Sequence, residues 1–214
     1  MGSTIWHRLW RADETRRTRF HTSNDKLCLA PGDIIFALAT TILRHGFGYL
    51  APIPWITLPA IQLLRSISWV DRIGFEYSVG TSTLWYGRRC KKFYAVEHNP
   101  AWLNRMQRLC AGLDNVQLYH HTDQAEYITA IERCGEPSFD LISIDGLWRY
   151  ECYRHALSFL KTGGVLVIDN TDADYMQAVV ADQSHRFAPE NIHVFPGYVS
   201  GILHPNETTI CIKS

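Results

Sequence analysis

From residue 72 onward, short apolar runs alternate with longer amphipathic segments. RIGFEY, KFYAVE, NVQLYHH, FDLISID and VLVIDN (72–77, 92–97, 115–121, 139–145, 165–170) are rich in β-branched and aromatic residues and read as five strands. Between and after them, TSTLWYGRRC (81–90), PAWLNRMQRLCAGL (100–113), QAEYITAIERC (124–134), RYECYRHALSFL (149–160) and DADYMQAVVADQSH (172–185) carry the period of helices, with KTGG as a turn before the fifth strand. HVFPGY (193–198) and TTICIK (208–213) close the chain as a hairpin around SGILHPNE. Near-continuous apolar strands separated by helices predict a parallel sheet buried on both faces. The expected fold class is α/β: a three-layer sandwich with a mostly parallel, seven-stranded, doubly wound sheet and an antiparallel C-terminal hairpin.

Upstream, GDIIFALATTILRH (32–45) reads as a helix opened by Pro31 and Asp33 and closed by Gly46 and Gly48. YLAPIPWITL is a proline-punctuated loop, and PAIQLLRSI a short helix with Pro59 in its first turn. The apolar stretch 34–64 is expected to form core-packing and pocket-forming helices. Residues 1–66 are expected to be an arm and helical cap belonging to the same domain as the core, 67–214.

Composition narrows the functional classes. With 214 residues, 46% of them hydrophobic and 20% charged, the chain has the make-up of an ordinary globular domain. A formal net charge of zero gives no global attraction to nucleic acid or anionic membrane. The basic cluster Arg8, Arg11, Arg16, Arg17 and Arg19 reads as a solvated surface, with phosphate or RNA contact as the alternative. Arg44, His45 and the prolines at 52, 54 and 59 interrupt the apolar stretch, so no transmembrane segment is expected. The N-terminus has no apolar signal region, and Trp6 stands where myristoylation wants Ser or Thr. Six cysteines without a C-x-x-C pair read as free thiols, and the expected location is cytoplasmic.

In doubly wound sheets, ligands bind beyond the carboxyl ends of the strands. Those positions hold Glu76, Ser78, Gly80, Ser82 and Thr83; Glu97 and His98; His120, His121, Thr122 and Asp123; Asp145, Gly146 and Arg149; and Asp169, Asn170 and Asp172. Polar groups at nearly every strand end cost free energy unless a ligand or partner satisfies them. A strand, glycine-containing turn and helix, followed about 20 residues later by an acid that closes the next strand, is how such folds grip a nucleoside.

The order E-x-S-x-G-x-S-T, VEHNP, FDLISIDG, LKTGGVLVIDN resembles the class I S-adenosylmethionine-dependent methyltransferases, with their Rossmann-like fold. It is closest to small bacterial methyltransferases with an E-x-G-S-G-x-S-T first motif, and PWITLPA and IDGLWRYEC extend the similarity over roughly residues 52 to 212. The resemblance implies that Glu76, Ser78, Gly80, Ser82 and Thr83 wrap the methionine end of the cofactor. It implies that Glu97, with His98, holds the ribose, that Thr122 or Asp123 lies near the adenine, and that Asp145, also a cofactor contact, faces the methyl-transfer site. Catalysis is assigned to Asp145 and Arg149. One departure is Ser78 in place of the family's first glycine, which removes easy access to positive φ.

The resemblance implies S-adenosylmethionine as cofactor and transfer to a small-molecule acceptor, with oxygen as the expected target, no nucleic-acid partner, and compatibility with a homodimer. Asp145, Asp169 and Asn170 could together hold Mg²⁺, as in catechol-type O-methyltransferases. The lysine that serves there as candidate base is Trp148 here, and the expectation is no metal. The alternatives are a cofactor-binding or interaction module that keeps the fold without activity, and a methyltransferase for tRNA or protein. A dinucleotide oxidoreductase would need G-x-G-x-x-G at the turn, which the chain lacks.

Overall fold

The computed structural model describes residues 15–214. Arg8, Arg11, Trp6 and the reading of an N-terminal arm over 1–14 lie outside the described residues. The ordered elements are α1 (Pro31–Phe47), α2 (Leu58–Ser66), β1 (Ile73–Tyr77), α3 (Thr81–Gly87), β2 (Lys92–Glu97), α4 (Pro100–Cys110), β3 (Val116–His120), α5 (Gln124–Ile128), β4 (Phe139–Ile144), α6 (Arg149–Ala156), β5 (Leu160–Asp169), α7 (Gln177–Arg186), β6 (Ile192–Tyr198) and β7 (Pro205–Ile212). One seven-stranded sheet has the order β3-β2-β1-β4-β5-β7-β6. Strands β1 to β5 pair in parallel, and β7 pairs antiparallel with both β5 and β6. This is the expected three-layer α/β fold with its C-terminal hairpin.

Alternation along the buried strands divides the core between the two faces of the sheet. Phe75, Tyr77, Val96, Ile142, Ile144, Leu166 and Ile168 pack with Tyr127, Cys152, Tyr153 and Val179 on one face. Phe93, Ala95, Leu141, Val165 and Val167 pack with Ile61, Leu64, Trp85, Tyr86 and Met106 on the other. Helices α2, α3 and α4 thus cover one side and α5, α6 and α7 the other. The cysteines at 28, 90, 110, 134, 152 and 211 are all buried and free. No helix among the described residues is long and apolar enough to cross a membrane.

Local chemistry explains most element ends. Asn99 accepts a hydrogen bond from Trp102 N at the start of α4, and Asp123 from Glu126 N at the start of α5. Gly48, at φ 66°, ends α1 in the left-handed region. Three expectations need correction. The expected helix 124–134 is α-helical only to Ile128 and then tightens to a 3₁₀ segment, Thr129–Cys134, where the Thr129 hydroxyl donates back to Ala125 O at 2.8 Å. The KTGG segment belongs to β5. Leu160 already pairs with Phe139, the register then shifts, and Gly163, at φ 74°, donates its N–H to Lys213 O.

The third correction concerns α1. It does not pack its large apolar residues into the core. Its inward face is Ala37, Thr40 and Thr41, with both threonine hydroxyls donating to backbone carbonyls of the preceding turn, while Ile35, Phe36, Leu38, Ile42, Leu43 and Phe47 point outward. The short helix α2, by contrast, buries Ala60, Ile61 and Leu64 as expected.

Candidate functional site

The parallel registers bring the strand ends into line. Tyr77 pairs with Val96 and Ile144, and Ile144 pairs with Ile168. The next residue on each strand therefore falls in one row: Ser78, Glu97, Asp145 and Asp169. Ser78 donates its N–H to Val96 O at 2.9 Å and Asp145 to Tyr77 O at 3.1 Å, so the backbone itself holds the row. After β1 the chain winds outward through β2 and β3, then crosses back to β4 on the other side of β1. The row thus straddles the switch point where α/β sheets open a crevice.

Glu97 ties the end of β2 to the turn after β1. It is 3% exposed. Oε2 accepts from Val79 N at 3.2 Å, and Oε1 accepts from His98 N at 2.9 Å and Asn99 N at 2.8 Å. The His98 imidazole also lies 2.9 Å from Oε1. Trp102 on α4 donates its indole N–H to Val79 O, so both backbone groups of Val79 are fixed.

Glu76 sits beneath the same turn at 1% exposure. Its Oε2 accepts from the Thr83 hydroxyl at 2.6 Å, and that hydroxyl accepts from Gly80 N at 2.9 Å. Burial pushes the Glu76 carboxyl up to about 8, against the pull of the Ser82 and Thr83 hydroxyls. Gly80 leaves little room, because a Cβ there would meet Ser82 Oγ at 3.3 Å.

Ser78 adopts φ 116°. This region is costly for any side chain, and a glycine would occupy it freely. Ser78→Gly is therefore expected to raise stability by about 1 kcal/mol, read as a higher urea midpoint at unchanged slope. A lower midpoint would mean that the serine hydroxyl makes a compensating contact.

Across the crevice, Arg149 joins the ends of β4 and β5. Its Nε donates to Gly146 O at 3.1 Å, Nη2 to Asp145 O at 3.0 Å and Oδ1 at 2.8 Å, and Nη1 to Asp169 O at 2.7 Å and Asn170 Oδ1 at 3.0 Å. Burial raises the Asp145 carboxyl and the guanidinium pulls it back. Asp169, 3% exposed, accepts from the Thr208 hydroxyl at 2.7 Å. Burial first, and then Asp145, push it up to about 8. The guanidinium thus bridges the Asp145 carboxylate and the Asn170 amide oxygen, and no group of three or more metal-ligating side chains occurs among the described residues. Gly146 is obligatory, since a Cβ would lie 2.1 Å from the Tyr127 hydroxyl and 2.9 Å from Tyr77 O.

At the β3 end, Asp123 is the N-cap of α5, Thr122 is exposed, and His121 lies 3.3 Å from Glu126. His120 is exposed at His98 O, 3.1 Å away.

Several residues at the site escaped the sequence reading. A cavity of about 490 Å³ borders Asn170 and is lined by Arg16, Asp172, Tyr175, His204 and Asn206. Thr15, Arg16 and Ser23 form one wall. Ser23 N donates to Asp172 Oδ2 at 2.8 Å, Arg16 to Asn206 Oδ1 at 2.9 Å, and Lys26 pairs with Glu207. Glu207 N in turn donates to Asp172 Oδ1 at 3.0 Å. In the sequence Asp172 stands out as an acid beyond the fifth strand and Arg16 as part of the basic cluster, but Arg16, expected at a solvated surface, has its side chain buried against Asp172 at 3.7 Å; Glu207 and Arg16 are 35 and 156 residues from Asp172 and reach it only through the fold.

Residues 77–171 match the model of a methyltransferase domain. No curated protein matches the chain. Among solved structures, the O-methyltransferase TomG of Streptomyces achromogenes, from tomaymycin synthesis and in complex with SAM, is similar at a TM-score of 0.58 and 17% identity, over 83% of this chain and 89% of that one. Precorrin-6y C5,15-methyltransferase of Geobacter metallireducens aligns at 0.56 and 20% identity, over 72% and 87%. An rRNA methylase of Streptococcus thermophilus aligns at 0.54 and 14%, over 72% and 94%. The chain has the Rossmann-like methyltransferase fold.

Proposed function

We propose that this chain is an S-adenosylmethionine-dependent methyltransferase acting on a small-molecule acceptor, at oxygen. The observation that carries the reading is the junction at Glu97: a buried carboxylate whose two oxygens fasten the glycine-containing turn to the end of β2, on the β1 side of the switch point. A nucleoside-binding crevice needs an acid in that place to accept from ribose hydroxyls.

The residues fit the cofactor's groups. Glu97 would hold the ribose, with the His98 ring giving up its place on Oε1. Glu76, Ser82 and Thr83 would face the methionine end, where a cation would meet the Glu76 carboxyl, and Thr122 and Asp123 would lie near the adenine. S-adenosylmethionine supplies an electrophilic methyl group and a neutral thioether leaving group. The protein's part is alignment and exclusion of water. Asp145 has Oδ1 committed to Arg149, leaving Oδ2 to orient the acceptor hydroxyl and take its proton. Arg149 positions Asp145 and supplies the positive charge that a metal would otherwise bring, so we assign no resident Mg²⁺ to Asp145, Asp169 and Asn170. The cavity beside Asn170, which Arg149 links to Asp145, would hold the part of the acceptor away from the reacting hydroxyl, and its polar side chains suit a hydrogen-bonding molecule.

Calorimetry with S-adenosylmethionine and S-adenosylhomocysteine tests the reading, and Glu76 gives it a signature. In the free protein Glu76 stays protonated up to about pH 8. Binding of a cation beside it releases that proton, so affinity rises with pH and levels above 8. Glu76→Gln removes this part of the slope. The raised value also means that the free protein holds a proton the unfolded chain has lost. Stability therefore falls as pH rises from 4.5 toward 8. Absence of binding by either compound at high micromolar concentration would leave a module with the fold and no methyltransferase function.

A further inference from the structure

The outward face of α1 is a feature that the proposed function does not use. Ile35 is 67% exposed, Phe47 79% and Ile42 48%, with Phe36, Leu38 and Leu43 also exposed. The helix is inside out: its threonines face the protein and its large apolar side chains face water. A solvated helix shows the reverse pattern. With the ~150–250 Å² that a large apolar side chain presents when fully exposed, these six leave on the order of 700 Å² uncovered. That exceeds an ordinary surface patch and approaches the ~800 Å² that each partner contributes to a standard interface.

We infer that this face of α1 is the seam at which two copies of the chain pack through a two-fold axis. Ile35, Leu38, Ile42 and His45 follow one another along α1 at steps of three and four, the spacing of a helix–helix seam. Ala39 and Gly46 lie beside that stripe, and a Cβ on Gly46 would meet nothing within 4 Å, so a facing backbone has room to approach. A membrane surface is the other apolar partner a helix can take, and it selects a rim of Lys and Arg. The charged residues of α1 are Asp33 and Arg44, and Arg44 turns inward, 4.2 Å over the Trp55 ring and donating to Gly201 O at 3.3 Å. An uncharged, self-complementary stripe fits a second copy of itself.

Light scattering on the full chain tests this. The expected mass is twice the 24.6 kDa of one chain. Ile42→Arg, which places a charge at the centre of the seam, is expected to return it to one chain, with helical content and S-adenosylhomocysteine binding retained. Gly46→Leu serves as a second variant: the side chain enters open space in the single chain, so the fold keeps its stability while the dimer weakens at least tenfold. A single-chain mass for the wild type at about 100 μM, or a dimer that survives both substitutions, overturns the inference. So does sedimentation with phosphatidylserine-containing vesicles that Ile42→Arg abolishes, which would give the face to a membrane.

Discussion

Arg149→Met is expected to destabilise the protein by about 3–5 kcal/mol and to reduce methyl transfer at least a hundredfold. The substitution keeps much of the aliphatic length of the side chain and removes five hydrogen bonds at once. Asp145 and the carbonyls of residues 145, 146 and 169 lose their partner, and the Asn170 amide oxygen loses its donor. The loss is large because the charge left behind is half-buried and already costly: Asp145 and Asp169 both lie above the usual carboxylate range. Arg149→Lys is not expected to rescue, since one ammonium cannot reach both sides of the crevice as the planar guanidinium does. The proposed cofactor contacts lie elsewhere, on Glu97, the turn after β1, and Thr122 and Asp123. Folded Arg149→Met should therefore bind S-adenosylhomocysteine within about tenfold of wild type. Urea titration and calorimetry measure the two quantities. Equal loss of binding and turnover would mean that Arg149 holds the whole crevice rather than the acceptor side.

Glu97→Gln is expected to have the opposite profile. The amide keeps the shape of the side chain but offers one acceptor oxygen where the carboxylate offers two. Either Val79 N or the His98 and Asn99 N–H pair must then face an NH₂ group. Charge-assisted bonds of this kind contribute about 1.5–3 kcal/mol each. S-adenosylhomocysteine affinity should fall about a hundredfold, equivalent to about 2.7 kcal/mol, and stability by a similar amount. Affinity unchanged from wild type would remove Glu97 from the ribose and undo the reading of the crevice.

The strands were legible because a parallel sheet buried on both faces demands long apolar runs, and β2 coincides with KFYAVE to the residue. Helix starts were legible where a local group makes them, as Pro31, Pro59 and Pro100 do. Boundaries failed where the deciding partner is distant or subtle. KTGG reads as a turn locally and becomes strand because Lys213 pairs with Gly163 and Gly164. The segment 129–134 reads as helix and instead runs as a 3₁₀ segment that Gly135 closes in the left-handed region at φ 70°. Ser78 was visible as a substitution for glycine, and its φ of 116° gives that substitution a physical cost.

At the site, the chain's order and apolar periodicity determined that acids would end the strands on one edge, since the handed crossover of parallel strands leaves no other arrangement. The sequence could not determine what those acids touch. That Arg149 spans Asp145 and Asn170, that Asp172 and Glu207 fasten Ser23 and Lys26, and that α1 turns its apolar side outward are decided by contacts between residues far apart in the chain. Periodicity specifies that a helix has an apolar face. Which way that face points depends on what the rest of the fold has already filled, and here β6 and the loop at Gly201 leave α1 room only for Ala37, Thr40 and Thr41.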